Sequence, residues 1–219
     1  MSELRKRKYA RTRLALATAL SEALTRQPFS EVTTRALCRE AEVSEATFFN
    51  YFPHKQDLMA YLAHLWLLEL GWHTQRAASA GQGLAVIDQL FAQTAKNCAS
   101  RPGVFRELLV WIARGGNIDP QLEITPFEKQ LAFPRLEGID TTPVKGIDSW
   151  LATQIEAAIH SGELPPNTVP PLLLAALLAI LLGVPLTMLS SDAARIAPMY
   201  RQQLALLWAG TRTLSRGQG

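Results

Sequence analysis

The sequence predicts an all-α protein in two parts, a three-helix helix-turn-helix domain followed by a larger helical domain. Apolar residues recur at helical spacing along most of the chain, and no segment shows the sustained alternation of a β-strand. Proline or glycine separates most of these apolar segments. Residues 1–60 hold ten Lys and Arg against seven Asp and Glu, whereas residues 61–219 hold twelve against twelve. The whole net charge of +3 therefore lies in the first part.

The first predicted helix runs from about residue 11 to residue 26, because Leu16, Leu20 and Leu24 share one of its faces. Pro28 ends it. A basic stretch at its start is balanced only by Glu3, and the cations in this stretch are Arg5, Lys6, Arg7, Lys8, Arg11 and Arg13. We expect this stretch either to contact the phosphate backbone of DNA or to be a solvated terminus.

Two short helices are predicted between residues 33 and 52. Thr33 or Thr34 can cap the first of them, and Ser44 can cap the second. The corner between the two helices falls at Glu42-Val43. This is the spacing of a helix-turn-helix, so a DNA-binding domain is predicted over residues 1–53.

The second short helix is predicted to read DNA. Phe48 and Phe52 stand one turn apart and face the core, so the opposite side is left polar and aromatic. A surface of this size fits the major groove, where Asn50 is suited to adenine; the alternative is an ordinary exposed helix face. The candidate contacts are Ser44, Thr47, Phe49, Asn50 and Tyr51 on this helix, and Arg13, Thr34, Arg35 and Lys55 outside it.

Four short motifs follow one another between residues 33 and 55: Thr33-Thr34, Val43-Ser44, Thr47-Phe48-Phe49-Asn50-Tyr51-Phe52 and Pro53-His54-Lys55. Through them, residues 13–58 resemble the DNA-binding domain of the TetR family of bacterial transcriptional regulators. Glu42 and Pro28 stand where that family commonly has glycine. The resemblance implies a homodimeric repressor that binds a palindromic operator in double-stranded DNA and is released by a small-molecule effector. An activator remains an alternative.

Residues 54–219 are predicted to form an effector-binding and dimerisation domain. A linking helix over residues 54–72 opens it, and further helices are predicted over residues 84–100, 104–114, 127–133, 148–160, 169–189 and 192–214. Residues 117–146 hold four prolines and two glycines. They predict a long connection that either lines the effector pocket or skirts it.

An effector pocket lined by aromatic and apolar side chains is predicted in this second domain, as the resemblance implies. Its candidate residues are Trp66, Phe91, Phe105, Leu109, Trp111 and Trp150. The alternative is that they belong to the ordinary core, because aromatic residues at helical spacing more often do. A small, largely apolar effector would suit such a lining.

The last two helices are predicted to form the dimer interface. Residues 169–189 contain no charged side chain, so this helix is expected to be buried on all sides, partly against a second subunit. Its length also suits a membrane span, which its prolines and the lack of charged anchors argue against. The candidate interface residues are Leu174, Leu178, Leu181, Met199, Leu207 and Trp208.

Several other kinds of site are not expected. The four histidines form no metal-ligand pair with a carboxylate at helical spacing, and the two cysteines make no disulfide framework. No nucleophile elbow or phosphate-binding glycine loop occurs. We therefore expect a cytoplasmic protein that is not an enzyme and needs no metal, cofactor or membrane. The remaining alternative is a helical hydrophobic-ligand-binding protein without sequence-specific DNA binding.

Overall fold

The computed structural model describes residues 3–116 and 122–216, and these residues form helices and connections without a strand. The ten α-helices within these ranges are α1 (Glu3–Ala23), α2 (Thr34–Glu40), α3 (Glu45–Tyr51), α4 (Lys55–Ala80), α5 (Leu84–Ser100), α6 (Pro102–Ala113), α7 (Pro126–Ala132), α8 (Ile147–His160), α9 (Pro170–Met188) and α10 (Ile196–Arg216). Short 3₁₀ turns lie at Ile139–Thr141 and Ala193–Arg195. The all-α prediction is confirmed.

Two helices are longer than predicted. α1 begins at Glu3 rather than near residue 11, and α4 continues to Ala80 rather than ending near residue 72. Neither extension contains proline or glycine, and the added part of α1 is rich in Arg and Lys, which favour helices. The basic stretch is therefore part of α1. α5, in contrast, has the bounds that its pattern predicts.

The first compact unit takes in the described residues up to Glu69 and those from Gly103 to Val144. Its core joins side chains of α1 to α4 with Val104 and Leu108 of α6. Gly103 lies so close to the Leu24 carbonyl that a Cβ would clash with it, so α6 meets the end of α1 backbone to backbone. Packing thus groups α6 and α7 with the helix-turn-helix. The predicted division at residue 53, which concerns function, stays a prediction.

Side-chain caps fix the start of both short helices. Thr33 Oγ1 accepts from the Ala36 amide at 3.2 Å, and Ser44 Oγ accepts from the Thr47 amide at 3.0 Å. Thr33, rather than Thr34, is therefore the cap of α2. Between the helices, Glu42 has a φ of 53°, a left-handed conformation that strains a residue with a Cβ. The corner therefore keeps the geometry that a glycine would adopt more easily.

Arg13 of α1 and Glu128 of α7 form a buried ion pair in this unit. Arg13 Nη1 lies 3.1 Å from Glu128 Oε1 and donates to the Glu123 carbonyl at 3.2 Å. The Tyr61 hydroxyl donates to the same Glu128 oxygen at 3.1 Å. Burial, with the Glu128 charge beside it, raises the pKa of Tyr61, so this hydroxyl stays a donor. Because a buried charge needs a partner, the pair fixes α7 on α1.

The other oxygen of Glu128 completes a capping box at the start of α7. Glu128 Oε2 accepts from the Thr125 amide at 2.9 Å, and Thr125 Oγ1 accepts from the Glu128 amide at 3.2 Å. This reciprocal pattern satisfies two amides that a helix start leaves unpaired. Both carboxylate oxygens of Glu128 are therefore occupied.

The second compact unit takes in Leu70–Pro102 and the described residues from Lys145 onward. α5, α8, α9 and α10 pack together in it. Tyr200 stands at the centre, where its ring lies 4.9 Å from that of Phe91 and its hydroxyl donates to the Leu181 carbonyl at 2.6 Å. α5 and α10 are tied to α9 through this side chain.

Replacing Glu42 with glycine should stabilise the protein. Glycine adopts a φ of 53° without the steric cost that a Cβ carries, so Glu42→Gly should raise the free energy of unfolding by about 1 kcal/mol. Denaturant unfolding measures this change in the free energy of unfolding, provided that the two proteins have the same m value. Glu40→Gly, at the end of α2 where φ is helical, should lower the free energy of unfolding; equal losses for the two variants would contradict the strain.

Removing one partner of the buried ion pair should cost more than removing both. Glu128→Leu leaves the Arg13 charge buried without a carboxylate and should lower the free energy of unfolding by about 3–5 kcal/mol. The double variant with Arg13→Met leaves no uncompensated charge and should lose less. Thermal and denaturant unfolding measure the stability of both variants. A double variant less stable than Glu128→Leu would contradict the idea that the unpaired Arg13 charge causes the loss.

Candidate nucleic-acid interface

The outer face of α3 is exposed, whereas its inner face is fixed in the core. Phe48 is fully buried and its ring lies 6.0 Å from that of Phe52. Asn50 is exposed, and Phe49 exposes 48% of its surface. A large apolar side chain left this open on a short helix is uncommon in a surface without a partner. The face predicted to read DNA is therefore presented to solvent.

Ser44 and Thr47 stand together at the start of α3. Besides capping the Thr47 amide, Ser44 Oγ lies 2.8 Å from Thr47 Oγ1. Ser44 is exposed and Thr47 is half-buried. Both hydroxyls thus lie at the N-terminal end of α3, where donors to phosphate are commonly found.

Tyr51 ends α3 and rests on α1. Its ring centroid lies 4.9 Å from that of Tyr9, with the rings tilted by 45°. Tyr51 is half-buried in this contact. The orientation of Tyr51 therefore depends on a helix other than its own.

Lys55, the first residue of α4, is held by the connection between α1 and α2. Its Nζ donates to the carbonyls of Phe29 and Val32, at 2.8 Å in each case, and lies 4.3 Å from the centre of the Phe29 ring. Burial lowers the pKa of Lys55. Two of its three donors are thus used inside the protein, so contact with a phosphate stays a prediction that rests on the third.

Arg13 does not belong to the interface, which corrects the prediction that it contacts a phosphate. Only 5% of its surface is exposed, and its guanidinium is paired with Glu128 and the Glu123 carbonyl. The sequence could not show this, because the partner Glu128 lies far along the chain on another helix, α7. Arg35 is exposed and Thr34 is half-buried at the start of α2, so contacts from them stay predictions.

The helical basic stretch adds cations on the solvent side of α1. Arg5, Lys6, Arg7, Lys8 and Arg11 are all exposed. Arg7 lies over the Phe127 ring, with its guanidinium carbon 5.8 Å from the ring centre. Because α1 is helical from Glu3, these charges are carried on a rigid element. The absence of a helix breaker before residue 11 was the sequence signal for this.

The six residues predicted to line an effector pocket are divided between the two compact units. Trp66, Phe105, Leu109 and Trp111 belong to the first unit, and Phe91 and Trp150 belong to the second. In the first, Trp66 meets Phe105 edge to face at 5.3 Å. In the second, Phe91 is buried against Tyr200 as core. Among the described residues, the indole nitrogens of Trp66 and Trp150 are buried without an acceptor, so each could donate to a bound ligand.

A cavity of about 800 Å³ lies in the first unit beside the start of α4. Of the predicted pocket residues, only Trp111 lines it, together with Phe29, Lys55, Glu107 and Arg114 among others. Glu107 is buried there and accepts from the Phe29 amide at 2.9 Å. The sequence pattern did not point to this cavity.

The predicted dimer residues divide into exposed and buried groups. Leu174, Leu178, Met199 and Leu207 are partly exposed. Leu181 and Trp208 are buried within their own unit, at 1% and 8% exposure, so the prediction that they meet a second subunit is wrong. The burial of Leu181 follows from helical phase, which the uniformly apolar α9 does not reveal. Trp208 lies on the inner face of α10. Three exposed leucines were missed: Leu172, Leu186 and Leu206.

α9 is the one helix in the described part of the chain that is long and apolar enough to cross a membrane. Its composition and length pass this test, and 28% of its apolar window is buried in the subunit. The same exposed apolar surface suits contact with another protein surface. Within the same described ranges, no three His, Cys, Asp or Glu side chains come together as a metal site.

Comparison with known proteins agrees with this geometry. The family model described as "Bacterial regulatory proteins, tetR family" matches residues 16–62. No curated protein matches the sequence.

Several solved structures share the fold over nearly the whole chain. Thermus thermophilus FadR, a TetR-family transcriptional repressor in complex with lauroyl-CoA, is 20% identical with a TM-score of 0.61, over 89% of this chain and 92% of that chain. Salmonella enterica GusR is 21% identical with a TM-score of 0.54, over 94% of this chain and 95% of that chain. A gamma-butyrolactone receptor (ArpA-like protein) is 15% identical with a TM-score of 0.51, over 93% of this chain and 99% of that chain.

The capped helix pair, the exposed face of α3 and the helical fold thus agree with the sequence match over residues 16–62. Residues 16–62 thus match the TetR family of bacterial regulatory proteins, and the whole chain has a fold similar to that of a TetR-family transcriptional repressor.

Proposed function

We propose that the protein is a homodimeric repressor that binds a palindromic operator and is released from it by a small, largely apolar effector. The observation that supports this best is the outer face of α3. It presents Asn50 and Phe49 to solvent on a helix whose start is fixed by a cap and whose inner face is fixed by Phe48. A rigid polar and aromatic helix face of this kind suits base edges and thymine methyl groups.

The charge distribution supports binding to DNA. The exposed cations of α1 belong to the same compact unit as α3. Cations on a rigid helix neutralise phosphates and release counterions, which supplies affinity without sequence preference. Specificity would then come from α3 and affinity largely from α1.

The exposed apolar side chains of α9 and α10 support a homodimer. Leu172 and Leu186 on α9 expose 69% and 60% of their surface, and Leu206 on α10 exposes 69%. A second copy of the same helices would cover them in a symmetric interface. Two copies of α3 would then lie about one DNA turn apart, roughly 34–36 Å, which requires a palindromic operator.

Two observations support an effector with an apolar body and a hydrogen-bond acceptor. The buried indole nitrogens of Trp66 and Trp150 have no acceptor in the part of the chain that the structure describes. Of the proteins with a similar fold, one was solved in complex with lauroyl-CoA and another is a gamma-butyrolactone receptor. A regulator of this kind acts in the cytoplasm beside its DNA and carries out no chemical reaction. The alternative, a hydrophobic-ligand-binding protein without operator specificity, is favoured only by the strained Glu42 and the apolar Phe49.

Selection from a random DNA pool should yield a palindromic consensus, and Asn50→Ala should weaken it. Loss of one base-reading side chain costs about 1–3 kcal/mol of discrimination at the base that it contacts. The ratio of operator to nonspecific Kd, at two salt concentrations, measures this loss.

Asn167→Ala makes the same exposed substitution in the second unit and should leave that ratio unchanged. Salt-sensitive binding without any consensus would refute a sequence-specific regulator and favour the ligand-binding alternative.

Leu172→Glu combined with Leu206→Glu should dissociate the dimer, because each carboxylate would be buried without a partner at the interface. Sedimentation velocity should show a monomer, and operator affinity should fall at least about 10-fold because one half-site is lost. Leu131→Glu changes an exposed leucine of the first unit and should leave the dimer intact. A double variant that remains dimeric would refute this interface.

A further inference from the structure

The end of α3 is positioned by side chains of α1. Tyr51 lies against Tyr9 with ring centroids 4.9 Å apart. Aromatic pairs at this separation prefer a small number of tilted arrangements. Since Tyr51 is the last residue of α3, a change in the Tyr9 ring would alter the direction of a side chain on the exposed face of that helix.

Tyr9 is in turn held by Arg13, one helical turn further along α1. The Arg13 guanidinium carbon lies 5.2 Å from the centre of the Tyr9 ring and 4.2 Å from that of Tyr61. It also lies 5.7 Å from the centre of the Phe52 ring, at the end of the recognition helix. A planar guanidinium between several aromatic faces leaves those rings little freedom. Arg13 thus orients Tyr9, which packs on Tyr51, and Phe52, which caps the C-terminal end of α3.

The orientation of Arg13 is decided by Glu128. The two charges are 3.1 Å apart, and the exposed fraction of the side chain is 6% for Arg13 and 0% for Glu128. Glu128 is itself fixed by Tyr61 and by the capping box with Thr125. Because the contact is buried, and Nη1 of Arg13 meets both Glu128 and the Glu123 carbonyl, this arrangement is the one in which the buried charge of Arg13 is paired.

We propose that Glu128 is a positioning residue for the recognition helix. Through Arg13 and Tyr9 it sets the orientation of Tyr51, and with it the discrimination between operator sequences. The connection between α6 and α8 thereby takes part in DNA recognition without touching DNA. This inference rests on the proposed function, in which α3 reads the operator.

A purely stabilising ion pair would have a different signature. Its loss would lower the free energy of unfolding, but a variant that is still folded would keep Tyr51 and the operator preference unchanged. A positioning role predicts changes at Tyr51 in the folded protein. The test must therefore read the tyrosines directly and must not depend on DNA alone.

The first readout is ¹⁹F NMR of the full chain labelled with 3-fluorotyrosine. The chain has four tyrosines, so four resonances can be assigned with single Tyr→Phe variants. Glu128→Gln should shift the resonances of Tyr9 and Tyr51 and leave that of Tyr200, in the second unit, in place. Glu123→Gln removes the same charge from an exposed side chain of the same segment and should shift neither Tyr9 nor Tyr51.

A double-variant cycle tests whether Glu128 acts on Tyr51 through Tyr9 or through the long-range electrostatic effect of its charge. Tyr9→Leu removes the ring that lies between Arg13 and Tyr51. Glu128→Gln should then cause no further shift at Tyr51. If the shift persists at full size in that background, Glu128 does not act through Tyr9 and the inference is overturned.

The second readout is the ratio of operator to nonspecific Kd. In folded Glu128→Gln this ratio should fall by about 2- to 30-fold, the range of measured long-range couplings. Nonspecific affinity should match that of Glu123→Gln, because the cations of α1 are untouched. If Glu128→Gln does not fold, Arg13→Lys keeps the charge beside Glu128 but lacks the planar group, and the same shifts and the same loss are expected.

An unmoved Tyr51 resonance together with an unchanged ratio, in a folded variant, would overturn the inference and leave the proposed function intact. A Tyr51 shift without any selected DNA consensus would support the positioning by Glu128 and refute the proposed function. The two failures are therefore distinguishable.

Discussion

The buried charge of Arg13 is the constraint on which the first compact unit depends. A guanidinium with 5% exposure must be matched by an anion, and Glu128 supplies it from a segment far along the chain. α7 is therefore drawn onto α1, and Ile124 just before it joins the helix-turn-helix core. The unit is thus more than three helices, because α6 and α7 complete its packing.

Surfaces that the folded subunit leaves open are the ones to which we assign function. α3 exposes Phe49 and Asn50, and the last two helices expose three leucines. Exposing the aromatic face of α3 and the leucines of the last two helices to water is unfavourable, so such surfaces usually bind a partner. DNA and a second subunit respectively account for them with ordinary recognition chemistry.

Local features were predictable where one short stretch of sequence decides the outcome. The cap at Ser44, the cap of α2 within the Thr33-Thr34 pair and the bounds of α5 depend on neighbouring residues alone. The extent of α1 was underestimated because its basic stretch has no apolar period, although it has strong helix formers. Periodicity detects a buried face, and an exposed helix end has none.

The sequence by itself determined the all-α class, the TetR-family match of residues 16–62 and the outer face of α3, because these depend on residue types at fixed local spacing. Tertiary structure alone decided that Arg13 is buried with Glu128, that Lys55 binds two carbonyls, and which leucines of α9 face outward. The physical reason is the same in each case. A side chain's partner lies on another element, and neither a charge nor a uniformly apolar helix specifies that partner from its own sequence.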